Sequence, residues 1–277
     1  MIKWTVAGLI IFLLMEIGHS QETQESLETF KQQTETYYHY LATPDVNNFS
    51  CYVSSGRYID FIKDRGDSSF YYPLKFIWTK EGNGYYVLQP FPQFSDSLRR
   101  QALSHTQMIK NLFSDMLYDL QKLYFKQPVL QIPPNASITF APDTVGIKIV
   151  EKDKGTILET YTRAGQLIRV LWKFGEQKVA TYPSYKEVRG KWLCMGWQNQ
   201  VFQENQIASG TAVWVDYAPA QNKFLPTRLS LLAQERKNAG EGVATGSYVL
   251  FMKDYVFNEN ITEISNSQTP GANPPQQ

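Results

Sequence analysis

The chain has 277 residues, of which 43% are hydrophobic and 19% charged, a balance typical of a globular protein rather than a disordered or fibrous one. Its 27 lysines and arginines nearly balance 26 aspartates and glutamates, leaving a formal net charge of +1, so we expect no nucleic-acid partner. Three histidines and two cysteines are too few for a zinc ribbon or a disulfide framework.

The first twenty residues have the features of a secretory signal. Lys3 precedes an uncharged apolar run at residues 6–15, and Gly18 and Ser20 are small residues at the positions that a signal peptidase reads. Ten residues form about 15 Å of helix, too little to cross a hydrocarbon core of about 30 Å. We therefore expect cleavage before Gln21, a mature chain with no membrane span and no lipid-accepting cysteine near the cut, and a periplasmic or secreted location.

The first half of the mature chain alternates between helical and strand patterns. Apolar residues at helical spacing predict a helix over 21–41, which Pro44 closes. Period-two patterns predict strands at 49–53 and 58–61, separated by a bulge or a turn at 54–56. Two β-rich runs around a Gly-Asn-Gly turn at 82–84 predict a hairpin. Its residues Leu74, Phe76 and Trp78 share one face.

A long helix is expected next, from its N-cap at Ser95 to about Lys126, with Pro128 beyond its end. Its apolar stripe includes Leu112 and Met116. Strands are then predicted at 137–141, 145–151, 155–162, 166–174, 177–182, 191–203, 211–217, 225–235 and 244–257. Because no helix intervenes, this spacing favours an antiparallel meander. Residues 263–277 lack strong apolar residues and are predicted to be a disordered tail.

The sequence contains no recognisable catalytic or metal-binding motif. There is no G-x-S-x-G nucleophile elbow, and the two histidines of the mature chain, His39 and His105, lie on helical patterns far apart in the sequence. We expect no enzymatic activity, no catalytic residue, no cofactor and no metal. A carboxylate pair contributed by distant segments stays open as the alternative of a secreted hydrolase.

Cys51 and Cys194 lie in predicted strands of a chain expected to enter an oxidising compartment. Two alternatives stay open. The cysteines form a disulfide that closes a long loop, or they are two separate buried thiols that behave as small hydrophobic residues.

Aromatic residues are in excess, at 14% of the chain. Spread over many strands, they either fill the core of the sheet or line a cavity, since a curved sheet presents alternate residues inward. For the second alternative the candidate lining residues are Leu74, Phe76, Trp78, Tyr86, Leu112, Met116, Trp172 and Trp214.

The order of elements resembles the LolA-like lipoprotein-carrier superfamily. The similarity lies in a strand–turn–strand at Gly155–Val170 and in closing strands that contain Leu225–Leu229 and Phe251–Asn258. The resemblance implies an α+β fold in which an incomplete antiparallel β-barrel, or curved sheet, wraps around helices. It also implies a space for acyl chains between the sheet and the helices, in one domain spanning 21–262.

We therefore expect a non-enzymatic binding protein that holds a lipid, an acyl chain or another apolar ligand between sheet and helices. Besides the hydrolase, the remaining alternative is a structural interaction module of the cell envelope, with an envelope protein as its partner.

Overall fold

The computed structural model describes residues 26–81, 84–151, 155–203, 206–220, 222–236 and 243–260. The expected signal peptide (1–20), its cleavage site, the tail (263–277) and most of the Gly-Asn-Gly turn lie outside these ranges. Among the described residues, none of the helices combines the length and the apolar character that a membrane crossing requires.

The described chain is mostly strand, with one long helix. The α-helices are α1 (26–34), α2 (Gly56–Lys63) and α3 (Asp96–Leu120), and α3 continues as a π-helical turn at Gln121–Phe125. Short 3-10 turns lie at Ser68–Phe70 and Val129–Gln131. The strands are β1 (Asn48–Ser55), β2 (Leu74–Thr79), β3 (Gly84–Leu88), β4 (Ser137–Phe140), β5 (Thr144–Glu151), β6 (Gly155–Thr162), β7 (Leu167–Phe174), β8 (Gln177–Val188), β9 (Lys191–Gln203), β10 (Gln206–Ala220), β11 (Lys223–Arg236) and β12 (Val243–Phe257).

These strands form one sheet in the order β3-β2-β1-β12-β11-β10-β9-β8-β7-β6-β5-β4. The sheet is open, with β3 and β4 at its ends, and is not a closed barrel. From β4 to β11 each strand pairs antiparallel with the next one in the chain. The predicted antiparallel meander is therefore confirmed.

The chain divides into two compact units, each made of two segments. The meander unit comprises Met1–Leu41 and Asp115–Val249, and the hairpin unit comprises Ala42–Ser114 and Leu250–Gln277. The single domain expected for 21–262 stays a prediction.

In the hairpin unit, β1 pairs with β2 on one side and with the end of β12 on the other. The predicted hairpin of β2 and β3 is present. The rings of Phe49 and Trp78 stack with centroids 5.2 Å apart, and Phe76 meets Phe113 of α3 edge-on at 4.9 Å. The face of β2 that Phe76 and Trp78 share therefore covers an aromatic core. A salt bridge of 2.7 Å between Lys75 Nζ and Glu259 Oε1 also lies in this unit.

The strand predicted at 58–61 is wrong, because these residues belong to α2. The hydroxyl of Ser55 accepts a hydrogen bond from the backbone N–H of Tyr58 (3.1 Å) and caps the helix. Tyr58 and Ile62, four residues apart, are its buried residues. The tyrosine, isoleucine and phenylalanine of 58–61 have strand propensity, but the cap and the helical spacing of the apolar residues decide the structure.

Replacing Ser55 with alanine should therefore lower the free energy of unfolding by about 1 kcal/mol, since the N–H groups of the first helical turn lose their acceptor. Urea denaturation measures this change. Ser104→Ala, at an exposed position within α3, is the control, for which we expect a change within about 0.5 kcal/mol. Equal effects of the two substitutions would contradict the capping role.

The first helix is shorter than the prediction of 21–41, because it ends at residue 34. The following residues pair with β9 instead: the N–H of Trp192 donates to the carbonyl of Tyr37, and the N–H of His39 donates to the carbonyl of Trp192. The hydroxyl of Tyr38 donates to the carbonyl of Gly165 and accepts from the N–H of Leu167. Bonds to distant strands thus replace the last helical turns.

A two-residue turn joins β8 to β9. Arg189 and Gly190 both have positive φ, at 51° and 73°, which is the backbone of a type I′ hairpin turn. Asparagine tolerates this conformation better than arginine does. Arg189→Asn should therefore raise the free energy of unfolding by about 0.5–1 kcal/mol, because it relieves part of the cost of the left-handed backbone. Thermal denaturation tests this, with Arg189→Lys as the unchanged control. A destabilised Arg189→Asn variant would contradict the turn assignment.

Candidate functional site

The predicted cavity residues of the hairpin unit lie in a packed aromatic cluster. Leu74, Phe76 and Trp78 are 3%, 0% and 0% exposed. The half-buried Tyr86 lies 5.4 Å from the ring of Phe76, and its hydroxyl is 2.9 Å from Ser114 Oγ. On α3, Leu112 is half-buried, and Met116, which belongs to the meander unit, is buried. None of these six residues lines the groove or the cavity described below, so their contact with a ligand stays a prediction.

The two candidate tryptophans of the meander unit have different surroundings. Trp172 is half-buried and stacks on Tyr118, with ring centroids 5.5 Å apart and an interplanar angle of 10°. Trp214 is 51% exposed. Its strand neighbours Val213 and Val215 are buried, so Trp214 lies on the solvent face of β10.

Trp214 forms part of a groove of about 510 Å³ on this face, here called the Trp214 groove. Gly210, Ala212 and Trp214 alternate along β10 and share the face, so two small residues form the floor beside the indole. On β9, Gln198 lies opposite Ala212 and Gln200 opposite Gly210. The lining also includes Asn199, Ile207, Ala208, Ser209, Thr211 and Leu232. The groove is thus mainly apolar, with amide and hydroxyl groups along it.

Gly210 has no side chain to fill the groove, although the backbone conformation at this position does not require glycine. A Cβ at this position would have the carbonyl oxygen of Asn199 as its nearest neighbour, at 3.4 Å. Gly196, in contrast, has φ 149° and a Cβ would lie 2.1 Å from the carbonyl oxygen of Val213. A side chain can therefore be added at 210 but not at 196.

Asp119 of α3 is a buried carboxylate on the inner side of the meander unit. Its Oδ2 accepts a hydrogen bond from Asn199 Nδ2 at 2.7 Å. Burial raises the pKa of Asp119 to about 6, and the hydrogen bond from Asn199 opposes this rise. Asp119 therefore changes its charge near neutral pH.

One helical turn further on, Lys122 pairs with Glu159 of β6. Lys122 Nζ lies 2.5 Å from Glu159 Oε1, and the two side chains are 10% and 0% exposed. The hydroxyl of Tyr161 donates to Glu159 Oε2 at 2.6 Å, and burial, followed by the charge of Glu159, raises the pKa of this phenol. A cavity of about 280 Å³, here called the Lys122 cavity, lies beside the pair.

The structure has both cysteines as free, buried thiols, and their pairing in an oxidising compartment stays a prediction. Burial raises the pKa of Cys194 to about 12 and also raises that of Cys51. Both sulfurs are therefore protonated at neutral pH and unreactive.

Within the described ranges, no group of three or more His, Cys, Asp or Glu residues is arranged to hold a metal ion. His39 Nε2 lies 2.8 Å from the carbonyl oxygen of Val188. His105 packs against the ring of Phe61 at 5.2 Å.

No family model, curated protein or solved structure matches the chain. Trp214 was predicted to line a cavity between sheet and helices, whereas it lies on the solvent face, and the floor and walls of its groove were not predicted. The only signal in the sequence was the alternation of Gly210 and Ala212 before an outward-facing tryptophan. The pairing of Lys122 with Glu159, for which the sequence carries no local signal, was not predicted either.

Proposed function

We propose that this chain is an exported, non-enzymatic binding protein of LolA-like fold that holds an apolar or lipid ligand in the Trp214 groove. The observation that carries the proposal is the half-exposed indole of Trp214 beside the small-residue floor of Gly210 and Ala212. A large aromatic residue left exposed next to a depression in a sheet is typical of a contact surface.

The dimensions and chemistry of the groove suit an apolar ligand with a polar end. Its volume of about 510 Å³ lies within the range of small-molecule sites, which are mostly apolar with few polar groups. An alkyl chain can lie on Gly210 and Ala212 against Leu232 and Trp214, and each methylene that it buries contributes about 0.8 kcal/mol. The amides of Gln198 and Gln200 can bind a polar headgroup.

The Trp214 groove lies on the solvent face of the sheet, whereas the ligand was expected between the sheet and the helices. The LolA-like assignment is supported by the open antiparallel sheet and the long helix. Export is supported by the sequence of residues 1–20. A partner protein seated on Trp214 is the interaction-module alternative, and the experiment below separates it from ligand binding.

The test is titration of the mature chain with a fluorescent fatty acid, followed by displacement with unlabelled acyl compounds. Three variants are compared. Gly210→Val fills the floor at a position that has room for a Cβ, and Trp214→Ala removes the indole. Phe174→Ala removes another aromatic residue of the meander unit, 57% exposed, and serves as the matched control.

We expect saturable, displaceable binding that weakens at least tenfold in Gly210→Val and Trp214→Ala and is unchanged in Phe174→Ala. Absence of saturable binding would refute the proposal and leave the interaction module. Equal affinity of all four proteins would refute the location in the groove. Turnover of an ester or glycoside probe would contradict the non-enzymatic assignment.

A further inference from the structure

The Lys122 cavity lies apart from the Trp214 groove and shares no lining residue with it. It lies between the end of α3 and the buried face of β5 and β6, all within the meander unit. Tyr118 and Lys122 come from the helical side, and Ile149, Glu151, Ile157 and Glu159 come from the two strands. Ile149 lies opposite Ile157 in the strand register, so an apolar pair separates the two glutamates along the face.

The charges on the wall of this cavity do not cancel. Lys122 and Glu159 neutralise each other at 2.5 Å, and the second oxygen of Glu159 is occupied by the hydroxyl of Tyr161. Glu151 is half-buried and has no ion-pair partner among the described residues. Counting only the residues that the structure describes, the wall therefore has one negative charge without an ion-pair partner.

Tyr118 adds an aromatic face to the same wall. Its ring is held by stacking on Trp172, at 5.5 Å between centroids. Tyr118 is 48% exposed and lines the cavity together with Glu151. An aromatic face beside a carboxylate is a combination that attracts ammonium groups.

We propose that the Lys122 cavity binds a small organic cation, a protonated primary amine with a short alkyl chain. The ammonium group contacts the carboxylate of Glu151 and the ring of Tyr118, and the alkyl chain packs on Ile149 and Ile157. The Lys122–Glu159 pair forms a fixed polar wall that leaves Glu151 as the charge available to the ligand. A carboxylate ligand of the same length is repelled by Glu151.

Isothermal titration of the mature chain with n-butylamine, 1,4-diaminobutane, n-butanol and butyrate tests this site. Glu151→Gln removes the charge and keeps the shape. Glu187→Gln, at an exposed glutamate of β8 in the same unit, is the matched control. Gly210→Val, which alters the Trp214 groove alone, shows whether the two sites are independent.

We expect 1:1 binding of the two amines that weakens at least fivefold in Glu151→Gln and is unchanged in Glu187→Gln and Gly210→Val. Butanol and butyrate should bind at least tenfold more weakly than butylamine. No binding of either amine, equal binding of butyrate, or full affinity in Glu151→Gln would overturn the proposal. Loss of amine binding in Gly210→Val would overturn the separation of the two sites.

Discussion

Replacing Lys122 with methionine is expected to lower the free energy of unfolding by about 3–5 kcal/mol, which is the usual cost of breaking a buried ion pair by removing one partner. Methionine has nearly the shape of the lysine stem, so packing changes little. Glu159, with a fully buried side chain, is left without its counter-ion. The loss arises from this uncompensated charge.

The double variant Lys122→Met with Glu159→Gln is the control. Glutamine keeps an oxygen that accepts the hydroxyl of Tyr161, and no buried charge remains, so the double variant should recover most of the lost stability. Guanidinium denaturation at pH 8 measures the loss and its recovery. A single variant as stable as the unmodified protein would show that the pair is not desolvated.

Asp119→Asn is expected to stabilise the protein at pH 8 by up to about 3 kcal/mol. The folded-state pKa of Asp119 is about 6, against an ordinary value of 3.8, and a tenfold change in a proton-binding constant corresponds to about 1.4 kcal/mol. Asparagine removes the buried charge and keeps an oxygen that accepts the hydrogen bond of Asn199. The cost of ionising Asp119 in the folded protein then disappears.

The direction of the pH effect follows from proton binding. Between pH 3.8 and about 6, folded Asp119 holds a proton that the unfolded chain has released. Its contribution to stability is therefore complete below this window and is lost as the pH rises through it. Denaturation curves from pH 4 to pH 8 should show this fall in the unmodified protein and in Asp115→Asn, an exposed control on α3, but not in Asp119→Asn. A parallel fall in all three would assign the dependence to other groups.

Strand patterns predicted most of the meander, because side chains that alternate between a buried and an exposed face leave a period of two in the sequence. In β6, Ile157, Glu159 and Tyr161 are buried in turn, and the predicted bounds of 155–162 are confirmed. Local patterns failed where another contact decided the structure. The hydrogen bond from Tyr58 to Ser55 stabilises a helix where the residues 58–61 have strand propensity. The pairing of Tyr37 and His39 with Trp192 ends α1 before the predicted residue 41.

The candidate sites were less predictable from the sequence than the strands, because contacts between distant segments form them. The Trp214 groove depends on the register that places Gln198 opposite Ala212, and a single strand does not contain that information. Lys122 lies near the end of a helix, where a lysine also suits the helix dipole, so its position in the sequence does not indicate a partner on β6. Glu159 occupies a core position of a strand, where a charged residue signals an unseen counter-ion rather than an error in the pattern.

The pairing of β1 with β12 bears on how the protein is made. Phe49 lies opposite Phe257 and Val53 opposite Met252. The strand β1 is synthesised early and β12 late, so β1 cannot form its hydrogen bonds with β12 until the end of the chain has been made. Such distant pairings are slow to form. A ribosome-bound chain halted before residue 243 should therefore be cut readily by protease within β1, and the full-length chain should not. The hairpin unit is thus expected to fold after synthesis rather than during it.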